Sequence, residues 1–219
     1  MIMQPKFLKA FVMLLMLAGS FSFNAMKAAA QDRPPLFFRE DWKEIPMATP
    51  VTQEHVANKD LLLALHGPGK EGIRKSHHDT PADDPYYIWS GLAEGNWAVS
   101  LRHVKYNVDL SGQSRIKWRA KQSGFRFLRP IIKLESGIWL IADAYDDASA
   151  DWREREFIVA DLTWRRLDIG KVIEGRVVPA PDLTRVVEIG FTDLMTGGAS
   201  DACSRLDWIE VWGKPVARK

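Results

Sequence analysis

The segment from position 67 to 85 (GPGKEGIRKSHHDTPADDP) concentrates side chains that could bind a ligand or a metal ion. Loops longer than about 12–15 residues are usually functional or disordered, and this one carries His77 and His78 side by side. Adjacent histidines on extended backbone point in opposite directions, and their spacing matches no zinc pattern. We interpret both as candidate ligand-binding residues; the alternative is a solvated loop whose aspartates make turns. The acids of the segment, which would suit calcium better than zinc, are Asp79, Asp83 and Asp84.

The aromatic residues that follow this segment favour a carbohydrate ligand. Sugar C–H faces pack on aromatic rings, whereas sugar hydroxyls need planar polar partners such as Asp, Asn, Arg and His. The stretch DDPYYIWSGLAEGNW supplies both kinds of group, and Tyr86, Tyr87 and Trp89 are its candidate ligand-binding rings. The alternative is that the rings fill the core. The tryptophans that alternation assigns to apolar faces, and therefore to the core, are Trp97, Trp118 and Trp208.

A row of basic residues forms a second candidate surface. It consists of Lys117, Arg119 and Lys121 on a predicted strand 114–121 and of Arg129 and Lys133 on a predicted strand 127–134. If these strands pair, the five cations meet on one sheet face, where arginine forks would fit the carboxylates or sulfates of an acidic glycan. Arg119 and Arg129 are therefore candidate ligand-binding residues. The alternative is a solvated face whose cations pair with nearby acids.

Three carboxylates near the two ends of the fold form a candidate calcium site. Glu40 and Asp41 directly follow the first predicted strand, and Asp207 belongs to the last one. The first and last strands of an antiparallel sandwich often lie side by side, so oxygen ligands from both could hold one structural calcium ion and fix the termini. The alternative is that all three are ordinary surface acids.

No pattern in the sequence predicts a reaction. It contains no G-x-S-x-G nucleophile elbow and no phosphate-binding glycine loop. Carboxylate pairs such as Asp143 with Asp146 exist, but the sequence does not set the separation on which glycoside hydrolysis depends. We therefore predict no catalytic residue. A carbohydrate lyase or hydrolase that uses His77, His78 or an acid as its base stays open as an alternative.

The first thirty residues have the order of features found in a secretory signal peptide. Lys6 and Lys9 precede a short apolar run over 10–23, and Ala28 to Ala30 supply the small residues that a signal peptidase reads. The apolar run is shorter than the ~20 residues that span a bilayer. We predict cleavage after position 30 and a secreted protein, periplasmic or extracellular, with no membrane span after cleavage.

Charge and cysteine content exclude several classes. The chain has 30 basic and 28 acidic residues, and loss of a leader with Lys6, Lys9 and Lys27 leaves 27 against 28. A near-neutral chain is not a nucleic-acid binder by bulk charge. Cys203 is the only cysteine, so no intramolecular disulfide and no cysteine-based zinc site can form. The remaining residues, 31–219, fit a single domain with a long loop at 67–85.

Hydrophobic alternation predicts an all-β chain. Strand-length runs rich in Val, Ile, Trp and Phe alternate with turn residues, and no long stretch keeps a helical period. Many short strands at regular spacing indicate an antiparallel β-sandwich or barrel. The predicted strands are 36–39, 60–66, 86–90, 96–103, 114–121, 127–134, 138–143, 155–160, 171–178, 186–192 and 206–212.

The C-terminal third resembles the galactose-binding-like jelly rolls, which include carbohydrate-binding modules and the complex I intermediate-associated protein domain. The runs that carry the resemblance are DWREREFIVADLTWRRLDI (151–169), DLTRVVEIGFTDL (182–194) and SRLDWIEVWGK (204–214). The matching residues are Trp152, Phe157, Val187, Ile189, Gly190, Phe191, Asp207, Trp208, Ile209 and Val211. The chain is also similar to a group of uncharacterised secreted bacterial proteins. The resemblance implies about eight antiparallel strands in two sheets, in some members a structural calcium, and a glycan site on the concave face or in end loops.

Together these features predict a secreted, non-catalytic carbohydrate-binding protein, with acidic glycans as one candidate ligand class. Two alternatives remain open at this point. One is the carbohydrate-active lyase or hydrolase described above. The other is a structural or protein-interaction sandwich of the cell envelope, which would bind no glycan.

Overall fold

A computed structural model describes residues 33–195 and 202–218, and these residues form one compact unit from Pro34 onward. The predicted signal peptide 1–30 lies outside the described residues and stays a prediction. Among the described residues, no helix has the length and apolarity needed to cross a membrane.

The described chain is built from short strands joined by turns and three single-turn 3-10 helices. The strands are β1 (Leu36–Glu40), β2 (Leu61–His66), β3 (Arg74–Ser76), β4 (Tyr87–Trp89), β5 (Ala98–His103), β6 (Tyr106–Asp109), β7 (Arg115–Gln122), β8 (Arg129–Leu134), β9 (Trp139–Ala142), β10 (Arg153–Ile158), β11 (Trp164–Asp168), β12 (Ile173–Val177), β13 (Val186–Thr192), β14 (Ser204–Trp212) and β15 (Lys214–Ala217). The 3-10 helices are Gln53–His55, Lys70–Gly72 and Val159–Asp161.

These strands form two antiparallel sheets, which confirms the predicted all-β sandwich. The first sheet has the order β10-β7-β14-β4-β3, and β1 also pairs with β14. The second sheet has the order β12-β11-β9-β8-β13-β5-β2, and β6 links β13 to β15. The first strand therefore lies beside β14, near the C-terminus, as the sequence predicted, with Glu40 opposite Ile209.

The core lies between the two sheets because alternate residues of each strand point inward. In β7, Ile116 and Trp118 are fully buried, whereas Lys117 and Arg119 face outward. Trp118 packs edge-on against Phe157 of β10, with 4.8 Å between ring centroids. The outer face of the first sheet therefore carries the polar half of β7.

Gly190 shows why one residue of the jelly-roll motif has to be a glycine. A Cβ atom added there would lie 1.9 Å from the carbonyl oxygen of Val99 and 2.7 Å from the Cα of Ser100 on the neighbouring β5. No side chain fits in that space, so β13 and β5 can approach closely only if this position has none.

Every predicted strand overlaps an observed one, but the predicted loop at 67–85 was only partly right. That segment contains the 3-10 helix Lys70–Gly72 and the strand β3, whose Lys75 lies opposite Ile88 of β4. β3 forms because β4 offers it an unpaired edge, although its own residues are polar and too few to show alternation. This pairing fixes His77 and His78 next to the first sheet.

Candidate functional site

A groove of about 640 Å³ lies on the outer side of the first sheet. It is formed by the end of β1 and the segment that follows it, the segment between β3 and β4, and the outward faces of β7 and β14. The lining residues are Arg39, Asp41, Trp42, Glu44, His77, Ala82, Asp83, Asp84, Pro85, Tyr86, Arg119, Asp207 and Trp208. A second hollow of about 520 Å³ shares Glu44, His77 and Tyr86 with the groove and extends it towards Met47.

The groove brings together residues that the sequence placed in four separate groups. His77 comes from the polar segment, Tyr86 from the aromatic group and Arg119 from the cationic row. Asp41 and Asp207, which were nominated as calcium ligands, line the same groove. The sequence identified these residue types but could not show that they meet.

Trp208 was predicted to be a core residue, and it is buried with 7% exposure, but its ring lies outside the main core cluster. The register between β14 and β7 shifts between Leu206 and Trp208, so two successive residues of β14 oppose one residue of β7. Leu206 and Ile209 therefore both face the core, and Trp208 turns to the outer face. There the guanidinium carbon of Arg39 lies 4.3 Å from the centre of its ring.

The floor of the groove is a pair of opposite charges on neighbouring strands. Arg119 donates a hydrogen bond of 2.7 Å from Nη1 to Oδ2 of Asp207. Burial raises the pKa of Asp207, and the hydrogen bond from Arg119 opposes that shift. The guanidinium of Arg119 also lies 5.6 Å from the ring of Trp152. Both charged groups are therefore held in a fixed orientation before any ligand arrives.

Arg39 is held equally firmly at the side of the groove. Its Nε donates to both carboxylate oxygens of Asp41, at 2.8 and 2.9 Å, and its Nη1 donates to Glu210 at 2.6 Å. The hydrogen bond to Asp41 is the main reason why the pKa of Arg39 is raised. Arg39 therefore lies over the Trp208 ring with its charge already balanced.

Glu40 builds the turn that carries the groove residues after β1. Its buried carboxylate accepts hydrogen bonds from the backbone N–H groups of Trp42 at 2.8 Å, Ala57 at 2.7 Å and Asn58 at 2.9 Å. Trp42 has a φ of 56°, in the left-handed region that a side chain of its size disfavours. The Glu40 carboxylate therefore fixes a strained turn, and this turn directs Asp41 and Glu44 into the groove.

Stacked rings form the opposite wall. The rings of His77 and Tyr86 lie 4.0 Å apart and within 10° of parallel. The ammonium of Lys75 lies 4.0 Å from the centre of the same Tyr86 ring. Nδ1 of His77 is buried and has no hydrogen-bond partner among the described residues.

His78 and Tyr87 lie next to this wall. Nδ1 of His78 lies 3.0 Å from Oδ2 of Asp84 and 3.2 Å from the hydroxyl of Tyr87. Tyr87 is buried, with its ring 5.2 Å from that of Trp152, so it supports the site from inside. The imidazole of His78 is largely exposed and lines the second hollow.

Trp89 does not line the groove. Its ring packs so closely on Gly91 that a Cβ added at Gly91 would lie 2.2 Å from it, and the guanidinium of Arg74 lies 5.8 Å from its centre. Its indole nitrogen is buried and finds no partner among the described residues.

The predicted row of five cations does not exist, because β7 and β8 belong to different sheets. β7 pairs with β10 and β14, whereas β8 pairs with β9 and β13. Arg129 therefore belongs to the sheet that does not form the groove. Its Nη2 lies 3.0 Å from Glu174 and 3.4 Å from Asp143. Lys133 pairs with Glu188 at 2.9 Å. The acidic-glycan prediction loses the arrangement on which it rested.

The three nominated calcium ligands are engaged elsewhere. Glu40 binds backbone N–H groups, Asp41 binds Arg39 and Asp207 binds Arg119. Across residues 33–195 and 202–218, no cluster of three or more His, Cys, Asp or Glu side chains has the geometry of a metal site. These residues therefore do not fit a calcium ion in this arrangement, and the structural calcium stays a prediction.

A serine, a histidine and a glutamate meet on the second sheet, but not in the order that activates a nucleophile. Ser100 donates to Glu188 at 2.7 Å, and Nε2 of His66 lies 2.9 Å from the same hydroxyl. A catalytic serine has to direct its proton to the histidine, whereas this proton goes to the carboxylate. Ser100 is also fully buried.

An exposed aromatic cluster at one end of the sandwich was missed by sequence reasoning. Phe125 is 82% exposed, and Phe127 and Tyr145 lie next to each other with ring centroids 4.9 Å apart. Two backbone hydrogen bonds between Leu128 and Asp146 join the two loops that carry them. Isolated aromatic residues in loops leave no periodic signal, so only the structure reveals the cluster.

Comparison with known proteins returns similar folds at low identity. No family model and no curated protein matches the chain. A family 11 carbohydrate-binding module from Clostridium thermocellum, solved in complex with a β-1,3-1,4-mixed-linked tetrasaccharide, is 13% identical with a TM-score of 0.46, covering 80% of this chain and 100% of that one. A carbohydrate-binding module of a Cellvibrio mixtus lichenase, solved with cellotriose, is 12% identical with a TM-score of 0.37, covering 69% and 97%.

An agarase is 10% identical with a TM-score of 0.42, and the match covers 80% of this chain but 25% of the agarase. The two antiparallel sheets themselves show the β-sandwich that the C-terminal motif predicted. The ligand has to be argued from the site.

Proposed function

We propose that this protein is a secreted, non-catalytic carbohydrate-binding protein and that the groove on the first sheet is its binding site. The observation that carries the proposal is the fixed Arg119–Asp207 pair between the Trp208 side of the groove and the Tyr86 wall. Carboxylates and guanidinium groups in fixed orientations can share the donor and acceptor pattern of sugar hydroxyls.

The size of the site suits an oligosaccharide. The groove and the hollow that extends it measure about 640 and 520 Å³ and share the Tyr86 wall. Each volume lies in the range of about 300–1,000 Å³ that small-molecule sites occupy. Two joined spaces of this size favour a chain of sugar units over a single small ligand.

The charge of the lining favours a neutral glycan over an acidic one. The groove contains two guanidinium groups, from Arg39 and Arg119, and each is already paired with a carboxylate. The carboxylates of the lining outnumber them; they belong to Asp41, Glu44, Asp83, Asp84 and Asp207. A uronic-acid or sulfated chain would meet net repulsion there. We therefore propose a neutral, hydroxyl-rich polysaccharide as the ligand.

The test is a binding titration of the purified protein with neutral, acidic and amino oligosaccharides, followed by one variant and one matched control. Arg119→Met removes the guanidinium from the groove floor. Arg115→Met is the control, because Arg115 lies on the same face of β7, contacts Trp212 at 4.3 Å and pairs with Glu156 at 3.3 Å, outside the groove. We expect Arg119→Met to weaken binding of a neutral glycan about tenfold or more.

Three results would contradict the proposal. One is that no glycan binds at micromolar to millimolar concentration. Another is that Arg115→Met weakens binding as much as Arg119→Met does. The third is that the bound oligosaccharide is cleaved during the titration, which mass spectrometry would detect and which would favour the lyase or hydrolase alternative. Binding confined to acidic glycans would refute the neutral-ligand part alone.

A further inference from the structure

Lys75 is a buried cation beside the groove. Its side chain has 0% exposure, and its ammonium donates one hydrogen bond, of 3.2 Å, to the carbonyl oxygen of Ile45. The same ammonium lies 4.0 Å from the centre of the Tyr86 ring. Burial of a lysine beside a backbone acceptor and an aromatic face costs folding free energy, because burial removes the water that solvates the charge.

The strand register explains how Lys75 reaches Tyr86. Ser76 lies opposite Tyr87 and Lys75 opposite Ile88, so the next pair along the ladder is His77 with Tyr86. Residues two apart on a strand point to the same side. Lys75 and His77 therefore both reach the Tyr86 ring, Lys75 diagonally and His77 directly, each at 4.0 Å. The ring lies between them.

We propose that Lys75 is a positioning residue for the glycan site: its buried ammonium holds the Tyr86 ring, and through that ring His77, in the orientation that forms the groove wall. This inference rests on the proposed function. Lys75 itself is shielded from solvent and would not touch the ligand. Its effect on binding passes through the orientation of two side chains that do line the groove.

The charge on Lys75 should therefore control the orientation of the Tyr86 and His77 rings that form the groove wall. Burial lowers the pKa of Lys75 to about 8, with Glu44 acting in the opposite direction. Above that pH the neutral amine loses its attraction to the Tyr86 face, which rests on the positive charge. The groups that face the ammonium are Glu44 and the Ile45 carbonyl on the segment after β1, and Tyr86 beside β4.

The effect of Lys75 on folding stability distinguishes a positioning role from a purely structural one. Because the pKa of Lys75 is lower in the folded protein than its ordinary value of 10.5, the charged lysine costs folding free energy below about pH 8. Lys75→Met fills similar space without a charge, so we expect its thermal midpoint at neutral pH to equal or exceed that of the unmodified protein. Residues that lower the stability of a fold in this way are found mainly at functional sites.

The first experiment needs no ligand. NMR spectra of the His77 ring protons are recorded from about pH 7 to about pH 9.5, a range that spans the pKa of about 8 of Lys75. We expect the signals to move with a midpoint near pH 8, as the stack with Tyr86 loosens. In Lys75→Met this step should be absent. Lys133→Met is the control, because Lys133 also faces a ring, Trp139 at 5.5 Å, on the other sheet.

The second experiment measures affinity for whichever neutral oligosaccharide binds. We expect the unmodified protein to lose affinity about tenfold as the pH passes through 8, and Lys75→Met to have weaker but pH-independent binding over that range. An NMR step that survives in Lys75→Met, or a Lys75→Met protein that binds with unchanged affinity, would overturn the positioning role. If no glycan binds at all, the proposed function fails, whereas the NMR titration still decides whether Lys75 holds the wall.

Discussion

Replacement of Glu40 by alanine is expected to destabilise the protein and to disturb the groove at the same time. The carboxylate accepts three backbone hydrogen bonds, and one of them holds the strained Trp42 at the entrance to the turn. Alanine at this position leaves all three N–H groups without their acceptor. The turn that carries Asp41 and Glu44 into the groove would then lose its anchor.

The loss of unfolding free energy depends on whether water can replace the carboxylate as the acceptor for each N–H group. An unsatisfied buried donor costs about 1–3 kcal/mol. The N–H of Trp42 is buried, whereas the bonds from Ala57 and Asn58 are only partly buried and could be replaced by water. Burial also raises the pKa of Glu40, so the native carboxylate carries a desolvation cost that alanine lacks. The net loss should be about 2–4 kcal/mol.

Urea unfolding measures this loss, and Asp41→Ala is the matched control. Asp41 is the next residue, is 53% exposed and pairs with Arg39 at 2.6 Å, so its removal should cost less than about 1 kcal/mol. Equal losses for the two variants would refute the interpretation of Glu40 as the anchor of the turn. A calcium-dependent rise in the unfolding midpoint that Glu40→Ala abolishes would instead identify Glu40 as a metal ligand.

Two further predictions concern the second sheet. Gly190→Ala should cost about 2–4 kcal/mol in urea unfolding, because the new methyl group would collide with the backbone of Val99; a loss below about 1 kcal/mol would contradict that close approach. Burial lowers the pKa of His66 below its ordinary value of 6.5, so the unfolded chain binds more protons just below that pH. Stability should therefore fall on acidification from about pH 7.5 to about pH 5.5, and His66→Gln should lose less over that interval; an equal loss in both proteins would refute it.

Local sequence patterns predicted most of the strands because those strands alternate strongly. β7 is the clearest case, with Ile116 and Trp118 inward and lysines and arginines outward. β3, β6, β11 and β15 were missed. β3 has only three residues, and β15 contains Pro215, which lacks the N–H group that a central strand needs. Strands of this kind exist because a neighbouring edge accepts them.

The site was harder to predict because it depends on which strands are neighbours. Arg119 and Arg129 both looked like sheet-face cations, yet their strands belong to opposite sheets. Alternation correctly predicted that Trp208 is buried, but the sequence does not mark the bulge that turns its ring to the outer side of the sheet, under Arg39. Tyr86 and His77 were nominated by residue type, and only the pairing of β3 with β4 shows that they stack.

The most direct test of the account is a ¹⁵N NMR titration of the purified protein with a neutral oligosaccharide that binds it. If the groove is the site, the amide signals that move most should belong to Tyr86, Arg119 and Trp208, which line it. If instead the largest changes fall on Phe127 and Tyr145, which lie next to each other in exposed loops, the groove is not the binding site.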